Sequence, residues 1–184
     1  VPCLTVGASI SFRDSRNFNP IEFANQVERD NVTHSFLVPT QLMRLLEKLP
    51  SASNEKLKSL TTLGYGSSPI SPERLKELIS RFGSIFNQLY GMAEIASIGT
   101  ILRKEDHDLG LTPKPKLLAS CGQPSLAVNV RVVNENGNTV EVKCNISSLR
   151  SIERSSCLAG VYSGPVARNS IIDNKDCIVR MSYL

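Results

Sequence analysis

Two apolar periodicities alternate between residues 33 and 90, and this alternation constrains the fold most. Thr33 to Val38 is a short apolar run of strand length, stopped by Pro39. Gln41 to Lys48 then carries Leu42, Leu45 and Leu46, with Leu49 beyond, at helical spacing, and Thr40 is placed to cap it. Leu60 to Tyr65 again reads as a strand. Ser71-Pro72-Glu73 opens a helix with Leu75, Leu78 and Ile79 on one face, Gly83 ends it, and Ser84 to Leu89 reads as a third strand. Strand, helix, strand, helix, strand requires crossovers, and crossovers imply a parallel sheet covered by helices. Upstream, Leu4, Val6, Ala8, Ile10 and Phe12 alternate as in a strand. Asn19-Pro20 then starts a helix with Ile21, Phe23, Ala24 and Val27 along its apolar stripe.

The pattern changes after Tyr90. Ile98 to Leu102 reads as a strand, and the polar, proline-containing Lys104 to Lys116 as a loop. Val128 to Val133 alternates cleanly, Asn134-Glu135-Asn136-Gly137 is a turn, and Thr139 to Val142 pairs back as a β-hairpin. The expected fold is therefore α/β, a partial parallel sheet with flanking helices followed by a small antiparallel β-subdomain. The expected division is residues 1–118 for the α/β portion and 119–184 for the β-subdomain.

Composition excludes several classes. Of 184 residues, 41% are hydrophobic and 21% charged, which fits a globular chain rather than a disordered one. The net charge of +4 is not gathered into a basic stripe, so no nucleic-acid partner is expected. No stretch approaches the roughly 20 apolar residues of a membrane span, and no signal peptide is visible at Val1-Pro2-Cys3-Leu4. Five cysteines without a C-x-x-C pair, and two histidines remote from them, argue against zinc or a disulfide framework. Reduced, mostly buried cysteines in a cytoplasmic protein are expected.

Ligands of parallel α/β sheets bind outside the carboxyl ends of the strands. Two loops occupy such positions: Gly66-Ser67-Ser68-Pro69, and Gln88-Leu89-Tyr90-Gly91-Met92-Ala93-Glu94. Gly66 allows close approach of backbone to a flat base, and Ser67 and Ser68 are small and offer hydroxyls. Tyr90 has a face for stacking a purine, Gly91 permits a sharp turn, and Glu94 is a hard oxygen donor suited to Mg²⁺. Taken singly, each loop is an ordinary turn composition.

The loops gain meaning together. Asn87 to Glu94 resembles the Y-G-x-T-E signature of the adenylate-forming acid ligases, a superfamily that includes acyl-CoA synthetases. Gly66-Ser67-Ser68-Pro69 resembles the G-A-P loop of that family, and Val38-Pro39-Thr40 its V-P-T. Cys121-Gly122-Gln123-Pro124, followed by Val130 to Gly137, resembles its G-x-P and V-V-D-x-x-G hairpin. The resemblance covers nearly the whole chain, most fully from Val6 to Val142. It implies activation of a carboxylic acid, such as a fatty or other acyl acid, by ATP as an acyl-adenylate, followed by transfer to coenzyme A. It also implies that Gly66, Ser67, Ser68 and Pro69 line the adenine pocket and that Tyr90 stacks on the base. Gln88, Leu89, Gly91 and Met92 would shape the wall, with Ala93 beside them and Glu94 holding Mg²⁺. Thr33 to Pro39 would back the acyl pocket, with His34 a packed strand residue rather than a catalytic one. No catalytic residue is assigned.

The sequence also departs from the family. Ala93 stands where the family has Thr. The phosphate loop ending in Lys, the T-G-D expected between Arg180 and Met181, and the C-terminal domain with its catalytic Lys are absent from this sequence. Leu158 to Pro165 resembles a degraded G-Y-x-x-x-P. The expectation is thus a fragment of an acid–CoA ligase, lacking N- and C-terminal parts and inactive alone. The alternative is a non-catalytic remnant or interaction module.

Overall fold

The computed structural model describes residues 2–12, 17–91, 98–126, 128–133, 157–158, 161–165 and 178–183. Its α/β portion begins in earnest at helix α2, Pro20–Asp30, after a single turn of helix, α1, at Pro2–Thr5. Asn19 caps α2 as the sequence implies: its side-chain oxygen accepts the backbone N–H of Ile21 at 2.9 Å and of Glu22 at 3.4 Å. Asn31, left-handed at φ 49°, ends it.

Strand β1 (His34–Leu37), helix α3 (Pro39–Lys48), strand β2 (Thr62–Gly66), helix α4 (Pro72–Phe82) and strand β3 (Phe86–Tyr90) follow. The three strands are neighbours and parallel, with Leu37 beside Tyr65 and Gly66 beside Leu89. Strands β4 (Thr100–Leu102) and β5 (Gln123–Pro124) extend the sheet antiparallel, giving a mixed five-stranded sheet in the order β1-β2-β3-β4-β5.

Strand alternation separates two faces of the sheet. Leu37, Leu63, Tyr65 and Phe86 are buried on one face with Phe23, Val27, Leu42, Leu45, Leu75 and Leu78 of α2, α3 and α4. Each such side chain contributes about 1.5–3 kcal/mol through removal of apolar surface from water. On the other face Phe36 remains 47% exposed. Arg81 ties the helices together. Its guanidinium donates to the carbonyls of Leu46 and Leu49 at the end of α3, where helical carbonyls lack partners, and to Asn54 Oδ1 at 3.2 Å.

A second sheet contains β6 (Val128–Val133), β7 (Cys157–Leu158), β8 (Val161–Pro165) and β9 (Ile178–Tyr183). It is antiparallel, in the order β6-β9-β8-β7. The expected turn at 134–137 and strand at 139–142 lie outside the described residues.

Three local expectations are corrected. Leu4 to Phe12 is not a strand: α1 occupies Pro2–Thr5, and residues 6–12 are irregular. Gly7 at φ 76° turns the chain, and no described strand lies beside this segment to pair with it. Period-2 alternation without a hydrogen-bonding neighbour does not make a strand. Instead, Gln26 Nε2 donates to Ser11 Oγ at 2.7 Å and to the Phe12 carbonyl at 2.9 Å.

The second correction is at Pro39, which begins α3 rather than preceding it. Val38 is the cap position, its N–H satisfied by Gln41 Oε1 at 3.1 Å. Proline fits the first helical position because its missing N–H has no helical partner to lose.

Third, Lys104 to Lys116 is not a loop. Helix α5 spans Lys104–Leu111, and a 3-10 turn spans Pro115–Ala119. Asp106 accepts the N–H of Arg103 at 3.2 Å and fixes the start of α5. The large side chain that α5 buries is His107, which reads as polar in the sequence.

Candidate nucleotide cleft

The carboxyl ends of β2 and β3 lie side by side, so the two loops singled out in the sequence leave the sheet together. Between them is a cleft of about 720 Å³, bordered by Gly66 to Glu73 on one side and Gln88 to Gly91 on the other. Every described residue of the two candidate loops borders it: Gly66, Ser67, Ser68 and Pro69, with Gln88, Leu89, Tyr90 and Gly91. Met92, Ala93 and Glu94 lie outside the described residues. Among the described residues no group of three His, Cys, Asp or Glu side chains is arranged to hold a metal ion.

Local physics explains the cleft's shape. Ser67 adopts the left-handed region, φ 70°, which swings the chain away from the sheet immediately after β2. Ser71 then caps α4, its Oγ accepting the N–H of Arg74 at 3.3 Å. Gly66 has a role the sequence does not disclose. A Cβ there would lie 2.2 Å from the Leu89 carbonyl oxygen, so glycine is required first by the approach of β2 to β3.

The far wall was missed by sequence reasoning. Leu118, Ala119 and Ser120, from the 3-10 turn and the residue after it, close the cleft. Ser120 directly precedes the Cys121-Gly122-Gln123-Pro124 motif, which was the available signal. That motif is tightly built. Ser120 Oγ accepts the Gly122 N–H at 2.9 Å, Thr100 Oγ1 donates to the Cys121 carbonyl at 2.7 Å, and Gly122 sits at φ 84°. A Cβ on Gly122 would fall 2.0 Å from the Ile101 carbonyl oxygen.

Beneath Gln88 lies a buried polar chain. Tyr65 Oη is 3.1 Å from Gln88 Oε1 and 2.9 Å from His107 Nε2, and His107 Nδ1 is 2.7 Å from the Arg103 carbonyl oxygen. Tyr65 and His107 are fully buried, with their rings 5.8 Å apart in an edge-to-face arrangement. Burial drives the Tyr65 phenol well above its ordinary value. It also pushes the His107 imidazolium below its usual range, against the opposing pull of the Arg103 carbonyl, Asp106 and Asp108.

A second hollow, of about 870 Å³, lies between residues 7–11, α2 and β1. It is bordered by Thr33 to Leu37, the strand the resemblance places behind an acyl pocket. Although larger, it is away from the strand ends that bring the two candidate loops together. His34 beside it is exposed rather than packed, with Nδ1 2.9 Å from Thr33 Oγ1. Asp30 at its rim is held down to about 2 by hydrogen bonds from Arg29 and Ser11. Of the cysteines, Cys121 is buried and Cys3 exposed. Among the described residues no helix is long and apolar enough to cross a membrane.

Comparison with known proteins gives this geometry a family. Over 124 residues, 67% of this chain and 20% of the relative, the sequence is 41% identical to the medium/long-chain-fatty-acid–CoA ligase of Mycobacterium tuberculosis. It is 26% identical to the indoleacetate–CoA ligase of Aromatoleum aromaticum over 140 residues, 76% of this chain and 25% of the relative. The amide bond synthetase McbA from Marinactinospora thermotolerans superposes with a TM-score of 0.61 at 29% identity, over 71% of this chain and 25% of that one. An O-succinylbenzoate coenzyme A synthetase from Bacillus subtilis, solved with ATP and magnesium, shares the fold with a TM-score of 0.55 at 22% identity, over 70% of this chain and 24% of that one. The chain thus spans about a fifth to a quarter of the length of these relatives. The model of the AMP-binding enzyme family matches residues 1–145, and the chain belongs to that family.

Proposed function

We propose that this chain is a central segment of an ATP-dependent acid–CoA ligase, and that the cleft between β2 and β3 holds the adenine end of ATP and of the acyl-adenylate. One observation carries the reading: in a chain of this family, the two loops read as nucleotide loops converge on a single cleft at the carboxyl ends of parallel strands. Gly66, Ser67, Ser68 and Pro69 form one wall. Tyr90 offers its ring to the base, and Gln88, Leu89 and Gly91 form the other wall, which the family resemblance assigns to Met92 and Ala93 as well.

In the reaction class, a carboxylate oxygen attacks the α-phosphorus of ATP and pyrophosphate leaves. The thiol of coenzyme A then attacks the acyl carbon and AMP leaves. Glu94 supplies one hard carboxylate donor, which fits Mg²⁺ held jointly by protein and phosphates rather than by a protein cage. Bound there, the ion offsets phosphate charge. The fatty-acid ligase similarity favours an acyl acid as substrate. This reading also divides the chain into an AMP-binding α/β portion at 1–118 and a β-subdomain at 119–184, and places the protein in the cytoplasm.

A second reading, a non-catalytic remnant, draws support from Ala93 in place of Thr and from the direct junction of Arg180 and Met181 where T-G-D is expected. Calorimetric binding of a non-hydrolysable acyl-adenylate analogue separates the two. Saturable binding that Tyr90→Ala loses supports the cleft. Absence of binding by a folded chain favours the remnant.

A further inference from the structure

The buried chain Gln88–Tyr65–His107 has a direction, and proton counting fixes it. The Arg103 carbonyl has no hydrogen to give, so the His107 Nδ1 only 2.7 Å away carries the proton. The ring is buried and neutral, which leaves Nε2 with a bare lone pair. Tyr65 Oη, 2.9 Å from it, therefore donates its single hydrogen to Nε2. Nothing is left for Tyr65 to donate to Gln88 at 3.1 Å. That contact is satisfied only if the Gln88 amide is turned so that its nitrogen donates to Tyr65 Oη. The oxygen and nitrogen of a glutamine exchange places by a half-turn about the last side-chain bond, so the network assigns them.

We propose that His107 is a positioning residue which, through Tyr65, locks the Gln88 amide with its nitrogen inward and its carbonyl oxygen facing the cleft. Gln88 lies beside Tyr65 in the parallel register and borders the cleft, whereas Tyr65 and His107 lie beneath. The lock presents the cleft with a fixed hydrogen-bond acceptor. A free glutamine offers acceptor or donor at the cost of one rotation; a locked one favours ligands with a donor edge. Resting on the nucleotide reading above, the ligand class is a 6-aminopurine nucleotide in preference to a 6-oxopurine one. Sites built to pair a specific polar group discriminate because the wrong ligand leaves buried groups unpaired.

The test has two arms on the full chain. In the first, nitrogen NMR of the unliganded protein reads the His107 tautomer and the Gln88 side-chain amide protons. The expected result is a proton on Nδ1, none on Nε2, and a Gln88 amide proton close to the Tyr65 hydroxyl. A proton on Nε2, or no such proximity, overturns the proposal. In the second, binding of AMP and IMP is compared in the wild type, Tyr65→Phe, and Tyr65→Phe with Gln88→Glu.

The preference for AMP should fall about tenfold in folded Tyr65→Phe, the worth of one oriented hydrogen bond. It should recover with Gln88→Glu, whose carboxylate accepts in either orientation. An unchanged preference in folded Tyr65→Phe overturns the proposal. If the wild type binds neither nucleotide, or Tyr90→Ala binds both as well as the wild type, the nucleotide reading of the cleft fails. The NMR arm then decides the lock on its own.

Discussion

Gly66→Ala should damage both the sheet and the cleft. The new Cβ would sit 2.2 Å from the Leu89 carbonyl oxygen and 3.3 Å from its carbon. Non-bonded carbon contacts are comfortable only near about 3.5 Å, so the overlap is about 1 Å. Both atoms met are backbone, so no rotamer change relieves it. β2 and β3 must part at their carboxyl ends, where a shift of about 1 Å breaks a ladder hydrogen bond. A lost hydrogen bond costs about 1 kcal/mol and overpacking about 1–3 kcal/mol, giving about 2–4 kcal/mol in all.

Gly64→Ala is the matched control, two residues earlier on the same strand and face. Its Cβ would meet Phe36 Cδ2 at 3.1 Å, and Phe36 is 47% exposed and free to swing away. Its cost should stay below about 1 kcal/mol. Urea unfolding of both variants is the assay. With an m-value of about 2 kcal/mol/M, Gly66→Ala should lower the midpoint by about 1–2 M and Gly64→Ala by less than about 0.5 M. Equal midpoints for the two variants, or a Gly66→Ala midpoint within error of the wild type, would refute the steric account.

Other predictions follow from single contacts. Arg81→Met removes the donors to the Leu46 and Leu49 carbonyls and to Asn54, and should cost about 1–3 kcal/mol in urea unfolding, whereas exposed Arg29→Met should cost under about 0.5 kcal/mol. Asn19→Ala should destabilise by about 1 kcal/mol through loss of the α2 cap, and Asn19→Asp should retain most of it. Because burial lowers the folded pKa of His107, its neutral form contributes stability above the unfolded value of about 6.5, and that contribution is lost as pH falls toward the folded value. The limiting slope is about 1.4 kcal/mol per pH unit, and His107→Gln should remove this limb from unfolding measured between pH 7 and 5. Asp30, lowered from 3.8 to about 2, acts in a separate window below pH 4.

Much of the α/β portion was legible because its signals are local. The Asn19 and Ser71 caps, the Leu42–Leu45 and Leu75–Leu78 stripes and the strand-length runs before Pro39 and Ser67 all specify structure from neighbours in sequence. The crossover rule then places both candidate loops at the carboxyl ends of parallel strands, which is where the cleft forms. The domain boundary and the roles of the site residues rest on proposal.

The start of α3 failed locally, at the Val38–Gln41 cap, but the larger failures were decided at a distance. Leu4 to Phe12 has the period of a strand, but pairing requires a second chain segment beside it, and no described strand supplies one. Residues 104–111 look like a loop because α5 buries a histidine, and a polar residue reads as inside only when its partners are known. Those partners are Tyr65, forty-two positions earlier, and the Arg103 carbonyl.

By itself, then, the sequence determined the alternation of strands and helices between residues 33 and 90, the starts of α2 and α4 and the two loops at the strand ends, because each follows from periodicity or hydrogen bonding within a few residues. Only the tertiary structure decided that Gly66 is required by Leu89, that Ser120 closes the cleft and that Gln88 rests on a buried tyrosine and histidine. These depend on distances between residues far apart in the chain, which local periodicity does not encode.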